Sequence, residues 1–232
     1  MLAAGIFDSD DPDRFATARR RMIESQLRTR GLRNARVLEA MNAVPREHFV
    51  PEDERPDAYS DWPLPIGHGQ TISQPFTVAF MADALQLCGD EKVLEIGTGS
   101  GYGAAVLARL AREVHTIERI PALAELARRR LAELNYKQVF VHVGDGSLGL
   151  PDEAPFDAIC VTASAESVPP VFTEQLALGG RLVIPIGDFR AGQRMWRYTR
   201  IAGALQSEDL GGFAFVPLIG KYGWRNSFTE TS

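Results

Sequence analysis

From Phe76 onward, short apolar runs alternate with stretches in which apolar residues recur at helical spacing. The runs predict strands at 92–96, 114–118, 138–143, 156–162 and 181–186. The stretches between them predict helices at 76–87, 102–112, 121–135 and 168–177. Strands alternating with helices imply an α/β, doubly wound, mostly parallel sheet with helices on both faces. Near the C-terminus the pattern changes. Segments 194–201 and 213–218 read as strands with no helix between them and predict an antiparallel pair at the sheet edge. Upstream, Phe15, Met22, Ile23 and Leu27 recur near helical spacing, as do Val37, Leu38 and Met41, with Gly31 between the two sets. Pro45, Pro51, Pro56, Pro63, Pro65 and Pro75 then mark an extended, loop-rich stretch. The chain therefore divides into a disordered lead-in at 1–13, an N-terminal helical and extended lobe at 14–75, and the α/β domain at 76–232.

Residues 91–103, EKVLEIGTGSGYG, carry the chemistry. A buried strand ends in a glycine turn and feeds a helix, the place where open α/β sheets bind nucleotides. The spacing is not that of a dinucleotide fingerprint, because Tyr102 stands where its third glycine would be, and no phosphate loop occurs in the chain. Glu95, two residues before Gly97, would repel a pyrophosphate and suits a cationic, amine-bearing ligand. S-adenosylmethionine has a sulfonium, an ammonium and no phosphate, and would lie against Glu95, Gly97, Thr98, Gly99 and Ser100. A glycine turn without a ligand is the plain alternative. Two further strand ends weigh against it. Glu118 follows Gly97 by 21 residues, close to the spacing at which an acid takes ribose hydroxyls. The 138–143 run leads into Gly144-Asp145-Gly146, where Asp145 suits an adenine amino group and the Gly146 amide a ring nitrogen.

Composition narrows the setting. The net charge of −5 argues against nucleic-acid or membrane partners. No apolar run approaches a membrane span, and the N-terminus lacks the pattern of a signal peptide. Two cysteines, Cys88 and Cys160, fit a reducing cytoplasm, with Cys160 read as a buried thiol. His48, His68, His115 and His142 are scattered and read as structural, and no metal-ligand cluster stands out. Segment 14–36 holds eight arginines against one acid, Glu24. Without interleaved aromatics it reads as a solvated helix face.

LEIGTGSGY, Glu118 and GDG at 144–146 resemble the class I, Rossmann-like S-adenosylmethionine-dependent methyltransferases. VPREHFVP at 44–51, AYSD at 58–61, PLPIG at 63–67, GQTISQP at 69–75, APFDAI at 154–159 and FVPL at 215–218 resemble one family among them, the protein-L-isoaspartate O-methyltransferases. The resemblance spans roughly residues 15–224. It implies S-adenosylmethionine as cofactor, S-adenosylhomocysteine as product, no metal, and isoaspartyl proteins and peptides as substrates, with the enzyme a monomer. It implies that Ser73 is the catalytic residue and meets the substrate carboxylate, that Thr71 and Ile72 flank the cofactor, and that the Val216 backbone meets the substrate peptide. By position alone Ser73 is equally a helix N-cap before Gln74-Pro75-Phe76. Ile219 departs from the family's usual threonine. The other readings are a carboxyl methyltransferase with a dedicated peptide or small-acid substrate, and a non-catalytic module that binds S-adenosylmethionine.

Overall fold

The computed structural model describes residues 14–188, 192–202 and 204–225; the expected lead-in at 1–13 lies outside them. The N-terminal lobe holds α1 (Arg14–Met22), α2 (Ala35–Ala43) and a hairpin of β1 (Leu64–Gly67) and β2 (Gln70–Ile72). Asn34 caps α2, its side chain accepting from the Arg36 and Val37 N–H groups at 3.1 and 3.4 Å. Its amide also donates to Asp83 at 2.9 Å, which ties the lobe to α3 (Pro75–Ala84).

The main sheet follows: β3 (Lys92–Ile96), α4 (Tyr102–Ala108), β4 (Glu113–Glu118), α5 (Pro121–Glu133), β5 (Val139–Val143), β6 (Phe156–Val161), α6 (Pro170–Gln175), β7 (Leu176–Ile186), β8 (Gln193–Ile201) and β9 (Ala204–Phe213). Its order is β5-β4-β3-β6-β7-β8-β9, parallel through β7 and antiparallel at β8 and β9. The strand order reverses between β3 and β6. The carboxyl ends of these two strands therefore flank the crevice where such sheets bind ligands. The five parallel strands match the sequence reading to within a residue, except that β7 starts at Leu176.

The edge differs from expectation. The antiparallel pair exists, but β8 pairs with Ala204–Phe213 and not with 213–218. Beyond Phe213 the chain is extended and bridges only at single residues, Pro217 beside Ser164 among them.

Lobe and sheet share one core. Met22, Leu27, Met41 and Phe49 are buried with Tyr102 and Val106 of α4. The Phe49 and Tyr102 rings meet edge to face at 5.7 Å. The arginines of 14–36 are more than a solvated face. Arg19 donates to Tyr59, the Asn42 carbonyl and Glu47, and Arg36 to the carbonyls of Leu87 and Leu110. Of the histidines, His115 and His142 stack, their rings 5.3 Å apart, and His115 is held by Glu113 at 2.7 Å.

Candidate active site

A cavity of about 950 Å³ opens at the carboxyl ends of β3, β4 and β6. Every residue expected to serve catalysis, cofactor or substrate lines it except Asp145. The glycine loop forms one wall. Gly97 takes φ +96°, and a Cβ there would collide with the Thr162 hydroxyl at the end of β6. That hydroxyl donates to the Ile96 and Gly97 carbonyls at 2.9 and 3.0 Å, so the loop is fastened across the switch point.

Glu95 is 1% exposed and faces Gly103, where a Cβ would strike its Oε1. Thr116 donates to Glu95 Oε2 at 2.6 Å, and the Thr98 and Thr116 hydroxyls lie 2.7 Å apart. Burial pushes the Glu95 carboxyl up to about 8, with the nearby Glu118 charge adding and the Thr116 bond opposing. A buried carboxyl on a cavity wall, with one hydroxyl partner among the described residues, suits an incoming cation, whose charge would favour its ionised form. Glu118, at the end of β4, accepts from the Gly99 N–H through Oε2 and the Ile120 N–H through Oε1, both at 2.9 Å. Each oxygen keeps a lone pair for a further donor such as a ribose hydroxyl. The acids and the close-approach glycines fit S-adenosylmethionine. Among the described residues no group of three or more His, Cys, Asp and Glu is arranged to hold a metal.

Asp145 is occupied elsewhere. Its Oδ1 accepts from the Ser147 N–H and hydroxyl at 2.9 and 2.7 Å, and Oδ2 from the Lys221 N–H at 2.8 Å. It ties the C-terminal segment down while its neighbour Gly146 lines the cavity.

The opposite wall comes from Thr71, Ile72 and Ser73 and from 213–219. The N-cap of α3 is Gln74, with no side-chain cap bond, so Ser73 does not cap the helix. Its hydroxyl makes no hydrogen bond among the described residues, while its carbonyl accepts from Arg46 Nη2 at 2.8 Å. Val216 is exposed, and its carbonyl accepts from the Ser164 N–H at 2.8 Å. Gln193 at the start of β8 grips Phe215 twice, donating to its carbonyl at 3.0 Å and accepting from its N–H at 2.6 Å. Sequence reasoning missed Arg46, Thr162 and Gln193. An arginine between the apolar residues Val44-Pro45 and Phe49-Val50 was the one available signal.

A family model described as protein-L-isoaspartate(D-aspartate) O-methyltransferase matches residues 17–223. The chain belongs to this family. It is 54% identical over 215 residues to the protein-L-isoaspartate O-methyltransferase of Syntrophus aciditrophicus, covering 91% of this chain and 98% of that one. It is 55% identical over 223 residues to protein-L-isoaspartate O-methyltransferase 1 of Rhodopseudomonas palustris, covering 96% and 91%. Among solved structures, a protein-L-isoaspartate O-methyltransferase superposes with a TM-score of 0.79 at 28% identity, over 88% of this chain and 67% of that one. A putative member from Plasmodium falciparum, in complex with S-adenosyl-L-homocysteine, gives 0.74 at 26% identity, over 87% and 98%. The cofactor of the family is S-adenosylmethionine, which agrees with the acid-lined loop described above.

Proposed function

We propose that this chain transfers a methyl group from S-adenosylmethionine to the free α-carboxylate of L-isoaspartyl residues in damaged proteins and peptides. One observation carries the reading: a single cavity joins the acid-lined glycine loop to Ser73 and to the exposed Val216 segment. When bound, S-adenosylmethionine supplies an electrophilic methyl on a sulfonium.

An α-carboxylate of this kind titrates at about 3.5 and is ionised at neutral pH, so no general base is needed. What remains for the protein is alignment and partial removal of water. Carboxylate and sulfonium neutralise each other during transfer. A cationic clamp on the carboxylate would therefore stabilise the ground state more than the transition state. A neutral donor avoids that cost, and the Ser73 hydroxyl, which has no hydrogen bond among the described residues, is suited to it. Thr71 and Ile72 would flank the cofactor. Glu95 would face its cationic groups, Thr98, Gly99 and Ser100 would line it, and Glu118 and Gly146 would serve its adenosine, with Asp145 holding the adjoining turn and the Lys221 N–H rather than the ligand. Val216 would meet the substrate backbone.

Two free thiols, one buried and one exposed, support a reducing setting such as the cytoplasm. No helix among the described residues is long and apolar enough to cross a membrane. We propose action as a monomer on protein and peptide substrates, without nucleic acid or membrane. The test is to map the product. Mass spectrometry of an isoaspartyl peptide after reaction should find a base-labile methyl ester on the isoaspartyl α-carboxyl. An ester on an ordinary side-chain carboxyl would count against the reading.

A further inference from the structure

The Arg46 side chain is fully buried. Its hydrogen-bonded partners are carbonyls, not carboxylates: Nε donates to Ala58 at 2.7 Å and Nη2 to Ser73 at 2.8 Å. Nη1 is buried without a hydrogen bond among the described residues, and the guanidinium carbon lies 4.8 Å from the centroid of the Tyr102 ring. The neighbouring acid, Glu47, is engaged by Arg19 and Tyr59 instead. An apolar side chain of similar size would fill this space without the cost of burying a charge. The guanidinium has a different use. It reaches three segments: the loop at Ala58, the strand end at Ser73, and Tyr102, the first residue of α4 after the glycine loop.

The peptide that joins Ser73 to Gln74 is planar, so a bond that pins its carbonyl fixes the last backbone torsion of Ser73. That torsion places Cβ relative to the pinned carbonyl and leaves the hydroxyl only the staggered positions about one side-chain torsion. We propose that Arg46 is a positioning residue for methyl transfer. By holding the Ala58 and Ser73 carbonyls in one fork, it aims the Ser73 hydroxyl at the acceptor carboxylate. The proposal rests on the reading of Ser73 given above. Arg46 does not line the cavity, so it makes no direct hydrogen bond to the acceptor carboxylate and acts on it by way of Ser73. It orients the neutral donor without becoming the clamp that would oppose charge neutralisation.

The test is a double-mutant cycle on the full chain with Arg46→Lys, Arg46→Gln and Ser73→Ala. The readout is kcat at saturating cofactor and isoaspartyl peptide, with S-adenosylhomocysteine affinity and the unfolding midpoint measured alongside. Lysine keeps the charge but loses the planar fork, and glutamine keeps one amide donor without charge. Either change should lower kcat by roughly 10- to 100-fold while S-adenosylhomocysteine affinity is kept. On the Ser73→Ala background neither should lower kcat further, because the hydroxyl it would misdirect is gone. A loss that multiplies in full on that background overturns the proposal, as does a change confined to the unfolding midpoint. Full activity of Ser73→Ala by itself overturns the reading of Ser73, which is a separate result. If neither arginine variant folds, the wild-type protein decides. Its Arg46 Nε–H resonance should be protected from solvent exchange, and fast exchange would refute the fork.

Discussion

The Thr116 hydroxyl donates to Glu95 Oε2 at 2.6 Å, inside a sheet where Glu95 has no cationic partner among the described residues. That single bond does not offset burial, and the carboxyl is pushed from 4.5 up to about 8. The folded protein therefore holds a proton that the unfolded chain releases. Stability from this group is fully present below about pH 4.5 and is lost as pH rises through about 8. Glu95→Gln should remove this slope and make the ligand-free protein more stable than wild type at alkaline pH, by a few kcal/mol. Urea titrations on either side of the window measure it. The same variant should bind S-adenosylmethionine at least about tenfold more weakly, the loss of a charged contact. Wild-type affinity should rise with pH toward about 8 as Glu95 ionises. A variant that gains no alkaline stability would remove this account of Glu95.

Glu118 holds two backbone N–H groups, one with each oxygen. Glu118→Gln leaves one oxygen to accept and turns an amide NH₂ toward the other N–H. Calorimetry should show S-adenosylmethionine weakened by about 1–3 kcal/mol. Asp145→Ala, outside the cavity lining, should weaken it less and should release the Lys221 N–H that it holds. Limited proteolysis would then cut the 218–225 segment faster in Asp145→Ala than in Glu118→Gln.

Gln193 is buried and satisfies both backbone groups of Phe215. Gln193→Ala leaves that N–H and carbonyl unpaired and frees the segment that carries Val216. The expected result is a KM for isoaspartyl peptide raised about tenfold, with S-adenosylmethionine affinity unchanged. Steady-state kinetics against both substrates separate the two. A weakened cofactor with an unchanged peptide KM would place Gln193 on the wrong side of the cavity.

These residues differ in how far the sequence disclosed them. Val93, Leu94 and Ile96 are buried on both faces of the sheet, so β3 stands out as an apolar run, and the acid and glycines at its end follow from that. β9 does not stand out. Its sequence, ALQSEDLGGF, is largely exposed at the sheet edge, and an edge strand needs no apolar run. FAFVPL at 213–218 has such a run, but only Phe213 belongs to a strand. Its apolar side chains face the cavity and neighbouring rings, with Phe80 and Phe213 centred 4.9 Å apart. Gln193, not a paired strand, takes the Phe215 backbone groups. Arg46 and Gln193 escaped notice for a shared reason. Their partners are main-chain atoms of residues distant in sequence, and a carbonyl leaves no mark on the residue type that bears it.

Acceptor discrimination tests the central claim most directly. Matched peptides that differ only in one isoaspartyl or normal aspartyl linkage would be offered with methyl-labelled S-adenosylmethionine. Base-labile label should appear on the isoaspartyl peptide and not on its partner. Equal labelling of both peptides, or none on either with the cofactor bound, would contradict the assignment.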